Sequence, residues 1–275
     1  MTAMHNQLGN PIPVAGLSGG GEKLGFRSGE KGAHSSRTIM LDEITALLAA
    51  SPPDATRDDY RALIIGDNAL AKRTAATRRS TYQRLSELYA LDPRVLLFRV
   101  MRQLWQPHNC GRPLLALLLA LARDPLLCLT APPLIALPPG AELGRKALTD
   151  ALVSHAGARF NDASLDKIVR NAASSWTQSG HLNGRSHKIR QQVHPTPEAV
   201  TFALVLGFAS GLRGSALLET LWAKILDVGA DQLLALATDA RRLGYLDLKI
   251  GGGIVEISFT GLFTESERRL LHGPH

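Results

Sequence analysis

The sequence predicts a mainly α-helical protein. It reads as a helical bundle with a helix-turn-helix-like N-terminal module and a C-terminal winged helix carrying one β-hairpin. Three observations predict it. Apolar residues make up 45% of the 275 positions, with Leu and Ala ahead of the β-branched and aromatic types, and unbranched side chains lose little rotamer freedom in a helix. Apolar positions recur at helical spacing through most of the chain. Near the C-terminus the order is helix, helix, helix, hairpin, the order of a winged helix.

The elements follow in order, beginning with residues 1–36. They hold eight glycines and no apolar run, so they read as a disordered tail rather than a signal peptide. Residues 37–112 form a basic helix-turn-helix-like module. Met40–Ala50 carries Leu41, Ile44, Leu47 and Leu48 on one face, and Ser51-Pro52-Pro53 ends it. Asp58–Ile65 is a second short helix, with Gly66-Asp67-Asn68 as the turn. Thr74–Tyr89 is the third, with a hydroxyl N-cap, a basic first half and an apolar seam of Tyr82, Leu85, Leu88 and Tyr89. Asp92-Pro93 predicts an N-cap and first position for a helix running to about Trp105.

Residues 113–194 read as a charge-neutral core and a basic connector. Leu114–Ala122 is a buried helix, too short for the roughly 20 residues of a membrane span, and a proline-broken connector follows. Leu165–Trp176 is helical, and Ser179–Pro195 is a polar, basic loop. Residues 195–275 are the winged-helix-like module. Thr196-Pro197-Glu198 opens a nearly all-apolar helix, and Gly214–Leu226 and Ala230–Leu243 follow, the last closed by Gly244. Tyr245–Ile250 and Ile254–Phe259 flank a triple-glycine turn and make the hairpin.

Charge is concentrated in one place. Residues 57–112 carry eleven Lys/Arg against five Asp/Glu, a surplus of six, while the whole chain is only +7. Such a local field suits a polyanion. On a helical wheel Lys72, Arg73, Arg79 and Arg84 share one broad face beside Thr77, while Arg78 falls in the apolar arc and must snorkel or pair. These six residues are the first DNA-binding candidates, since Arg and short hydroxyls position a helix on phosphate. Arg185, Lys188 and Arg190 of the connector and Arg241 and Arg242 before the wing are the second set. The C-terminal module carries nine acids against seven basic residues, which points it toward a structural or protein-binding role, with at most Arg241, Arg242 and Lys249 touching a phosphate backbone.

Catalytic chemistry finds no support. Gly16–Lys23 lacks the Gly-Lys-Ser/Thr ending and the preceding strand of a phosphate loop. His181, His187 and His194 share a loop without cysteines or a carboxylate cluster, so no metal site is expected. His108 and Cys110 lack an orienting third group. We expect no enzyme and no cofactor, and reduced thiols at Cys110 and Cys128 in a cytoplasmic protein.

The run Gly66–Leu91, GDNALAKRTAATRRSTYQRLSELYAL, resembles the N-terminal signature of the BrxA family of bacterial BREX phage-defence systems. Trp176, Ser179-Gly180, GFASGLRGSALLETLWAKILD and ARRLGYLDLKIGGGIVEISF resemble its C-terminal part. The similarity spans residues 38–262. It implies a small, helical, non-enzymatic protein that binds double-stranded DNA beside other defence-system proteins. It also implies a likeness to an RNA-binding antitermination factor, which leaves RNA open as a ligand. A scaffold for larger defence enzymes and a transcriptional regulator are the rival readings.

Overall fold

The computed structural model describes residues 21–105, 110–156 and 159–272. Among them are fourteen α-helices and two two-stranded sheets, so the mainly α expectation holds. Gly16–Gly20 and His108, singled out above, lie outside the described residues.

The first helices are α1 (Gly21–Leu24), α2 (Leu41–Ala50), α3 (Arg57–Arg61) and α4 (Ala75–Tyr89). Helix α3 is started by a reciprocal cap. Thr56 Oγ1 accepts from the Asp59 N–H at 3.3 Å, and Asp59 Oδ2 accepts from the Thr56 N–H at 2.8 Å. A π-helical turn, Ala62–Gly66, extends it into the loop before α4. That loop needs left-handed backbone at Asn68 and Ala71. Thr74 caps α4 as expected, accepting from the Thr77 N–H at 3.1 Å. Leu85, Leu88 and Tyr89 are buried, as the apolar seam requires.

Asp92-Pro93 does not start the next helix, which is α5 (Leu96–Leu104). The Asp92 carboxylate is already engaged: it accepts from the Arg94 N–H at 3.0 Å and pairs with the Arg94 guanidinium at 2.8 Å. A local turn therefore displaces the helix start by three residues.

The disordered-tail expectation fails for residues 21–36. Phe26, Ala33 and His34 are buried, and the Arg27 N–H donates to the Ala122 carbonyl at 3.1 Å. Glycine here permits close packing rather than disorder. A Cβ at Gly32 would fall 2.0 Å from an Asp124 carboxylate oxygen, and Gly25 has φ +116° beside Val95.

Next come α6 (Arg112–Arg123), α7 (Pro125–Cys128), α8 (Ala131–Ile135), α9 (Arg145–Ala156) and α10 (Asp162–Gln178). The stretch read as a proline-broken connector thus contains two short helices. Pro125 sits at the first helical position of α7, where its missing N–H costs nothing. Asp124 caps α7, accepting from Leu126 and Leu127 N–H at 3.0 and 3.3 Å. No single helix among the described residues is long and apolar enough to cross a membrane. Helix α6 and the α7–α8 segment could do so only as a pair, and they meet at 108° with α6 buried from Leu114 to Arg123.

The basic connector contains β1 (Leu182–Asn183) paired antiparallel with β2 (Ile189–Arg190). Then follow α11 (Pro197–Ala209), α12 (Leu221–Lys224), α13 (Ala230–Arg242), β3 (Asp247–Gly251), β4 (Ile254–Ser258) and α14 (Glu265–His272). Gly214–Leu226 is not one helix. It splits into a 3-10 stretch, Gly214–Glu219, and α12, because Thr220 turns extended and caps α12 through the Ala223 N–H at 3.1 Å. The hairpin is as expected: Gly251 pairs with Ile254, and Gly252 and Gly253 between them both have positive φ, a two-residue turn that matches strand twist. Helix α14 was not anticipated. One apolar cluster runs from Leu24 to Phe263, so the boundaries drawn at 112/113 and 194/195 divide the sequence without dividing the core.

Candidate nucleic-acid interface

Helix α4 exposes Ala75, Ala76, Arg79 and Gln83 along its outer side, and Arg73 is exposed just before its cap. Arg73 and Arg79 make no ion pair among the described residues. The other candidates on this helix are engaged. Lys72 pairs with Glu43 at 2.9 Å, and Arg84 with Glu87 at 2.7 Å. The Thr77 hydroxyl lies 2.9 Å from that of Thr74. Arg78 is half-buried and makes no ion pair among the described residues. It donates to the Ile65 and Gly66 carbonyls at 2.9 and 3.4 Å and staples the turn before α4.

The two ends of α4 differ in charge. Its C-terminal carbonyls are capped from afar: Arg27 donates to Glu87 O at 3.1 Å, and Arg123 to Glu87 O and Ser86 O at 3.1 and 3.3 Å. Arg123 also donates to the Gly25 carbonyl, and burial beside Arg27 pulls its guanidinium down to about 9. At the N-terminus there is no acid in the first turn. The positive end of the helix dipole therefore stands beside uncompensated Arg73, which favours an external anion. Arg61 on α3 is likewise exposed and makes no ion pair among the described residues; the sequence reading did not single it out because it lies outside the basic helix.

The second set of candidates divides. Arg185 is exposed and makes no ion pair among the described residues. Lys188 donates to Thr177 Oγ1 at 2.9 Å and to the Gly184 carbonyl at 2.7 Å. Arg190 is a correction: it is 2% exposed, pairs with Asp227 and donates to the Leu134 carbonyl at 3.2 Å. A buried, paired guanidinium holds the fold and does not reach a phosphate. Arg241 is exposed, while Arg242 pairs with Asp239 at 2.9 Å.

One constellation was invisible in the sequence. His34 Nδ1 lies 2.8 Å from Asp124 Oδ2, and His34 Nε2 lies 2.7 Å from Ser175 Oγ. The geometry resembles a nucleophile-base-orienter line. Its surroundings argue for structure instead. Ser175 and His34 are fully buried and Asp124 is 1% exposed. Ser175 Oγ also donates to Asn171 O at 2.8 Å and accepts from the Ile39 N–H at 2.9 Å, so its bonding capacity is taken. Burial pushes the Asp124 carboxyl up, and the His34 charge and hydrogen bonds more than offset this, leaving it below the ordinary range. The trio fastens residues 32–39 to α7 and α10.

The loop histidines go separate ways. His181 is buried against Trp176, its ring edge-on at 5.1 Å, with Nε2–H donating to Ile225 O at 2.8 Å. Burial pulls it down to about 4. His187 pairs with Glu142 at 2.8 Å.

No protein-family model and no curated protein matches the chain.

Proposed function

We propose that this protein is a non-enzymatic accessory protein that binds double-stranded DNA through α4, in the cytoplasm, as part of a BREX-type phage-defence system. The observation that supports it is the pair of exposed arginines without carboxylate partners, Arg73 and Arg79, flanking the small Ala75 and Ala76 at an acid-free helix start. Small residues let a helix end approach a groove closely, and arginine serves both phosphate and guanine. Duplex RNA fits less well, since its major groove is too deep and narrow for a helix.

Anisotropy titration of a random-sequence duplex DNA across a salt series tests the reading, with single-stranded DNA and duplex RNA in parallel. Sub-micromolar duplex-DNA binding that weakens steeply with salt is expected. Removing Arg73 and Arg79 should lower the slope by about 2. Wild-type binding by a folded double variant would refute the site.

A second reading, docking to other defence-system proteins, draws on the C-terminal surface. Leu243, Ile250 and Ile254 are 55%, 58% and 71% exposed, in a C-terminal part that carries nine acids against seven basic residues. Retention of partners after nuclease treatment would favour it.

A further inference from the structure

A cleft of about 370 Å3 opens between α9, α10 and the loop joining β1 to β2, with Arg145, Arg170, Arg185, Lys188, Ser174 and Ser186 in its wall. One carboxylate, Asp166, serves both Arg145 and Arg170, the latter at 3.0 Å. Arg185 makes no ion pair among the described residues. Lys188 is held by a hydroxyl and a carbonyl rather than an acid. The nearby Glu142 is occupied by His187. Four cations therefore share a single carboxylate in one concavity.

The loop that brings two of them there is tightly fixed. Gly184 has φ +100°, and a Cβ on it would fall 2.0 Å from the His187 carbonyl. The Leu143 N–H donates to Lys188 O at 2.7 Å, and the Arg190 N–H to Ala141 O at 2.9 Å. Buried Arg190 anchors the base on Asp227. A loop backbone so constrained loses little freedom on binding, which raises affinity.

We propose that this cleft binds a phosphate group, with Arg185 and Lys188 as its principal cations and the Ser174 and Ser186 hydroxyls as further donors. Charge-assisted bonds from several N–H and O–H groups to one anion are the strong kind. Desolvation lowers the Lys188 ammonium from its ordinary value, and an anion seated beside it restores the charged form. The phosphate could come from a nucleic-acid backbone or a free nucleotide. The site depends on neither α4 nor the family resemblance.

Calorimetry on the full chain at low salt, with inorganic pyrophosphate as the probe, tests it. Saturable binding with a dissociation constant of about 1 mM or tighter is expected. Arg185→Ala, at an exposed position whose loss leaves the fold intact, should weaken it about tenfold, and Arg185→Lys should restore most of it. The Arg73→Ala/Arg79→Ala variant should bind pyrophosphate as wild type does. Competition by duplex DNA would name the backbone as the source, and competition by ATP a free nucleotide. No saturable binding, or an unchanged Arg185→Ala variant, would overturn the site. Pyrophosphate binding without duplex-DNA binding would sink the α4 reading and leave this one standing.

Discussion

Helices α4 and α13 each come third in a run of three helices along the chain, yet their outer faces differ in chemistry. Helix α4 and the turn before it present Arg79 and Arg73, neither of which makes an ion pair among the described residues. Helix α13 presents Ala230, Asp231, Ala235 and, at its far end, Arg241, and its Arg242 is taken by Asp239. They also end differently. Helix α13 stops on its own glycine, with the Gly244 N–H donating to Arg241 O at 3.0 Å. The end of α4 is capped by Arg27 and Arg123, brought there by the N-terminal segment and α6. Similar helix order therefore does not assign similar work, because function lies in the site and not in the fold.

The anchorage of each half offers the sharpest tests. Asp124→Ala leaves His34 buried without its carboxylate and should cost about 3–5 kcal/mol in denaturant unfolding. Because the folded Asp124 carboxyl lies below its ordinary value, its stabilisation is complete above about pH 4 and fades only as the pH falls further. A loss below about 1 kcal/mol would remove the clip from the account.

The C-terminal anchor, His181, titrates in a different window. Its folded value near 4 lies below the ordinary 6.5, so the unfolded chain binds a proton first. Stability should therefore fall by about 3 kcal/mol as the pH drops from 6.5 to 4. A His181→Gln variant should show a flatter profile across that interval. Denaturant midpoints measured at closely spaced pH values separate this loss from the Asp124 loss at lower pH.

The surface contrast is next in size. Arg73→Ala/Arg79→Ala should weaken duplex DNA roughly tenfold, near 1.4 kcal/mol, whereas Arg241→Ala/Arg242→Ala should change it less than twofold. Equal losses would erase the distinction between the helices. The smallest effect concerns the turn that sets α4. Ala71 has φ +50°, and Ala71→Gly should raise stability by less than about 1 kcal/mol, with a matching rise in Tm.

Much of this fold was legible. Thr74, and Thr196 with Pro197, marked helix starts that the structure shows, and the paired glycines marked the hairpin. Asp92-Pro93 misled because Arg94, two residues on, took the capping carboxylate. Residues 21–36 misled because their glycines make room for Asp124 and Val95, which lie 60 to 100 positions away. The His34, Asp124 and Ser175 cluster had no sequence signal at all.

The sequence alone determined many of the local elements: the helix starts at Thr74 and Thr196, the hairpin turn and the apolar seam of α4. Each depends on a hydrogen bond or a dihedral preference within about four residues. Only the tertiary structure decided which charges stay free. Glu43 reaches Lys72 and Asp227 reaches Arg190 across 29 and 37 positions, whereas no carboxylate reaches Arg73, Arg79 or Arg185 among the described residues. An ion pair is a fact of distance in space, and the chain order does not contain that distance.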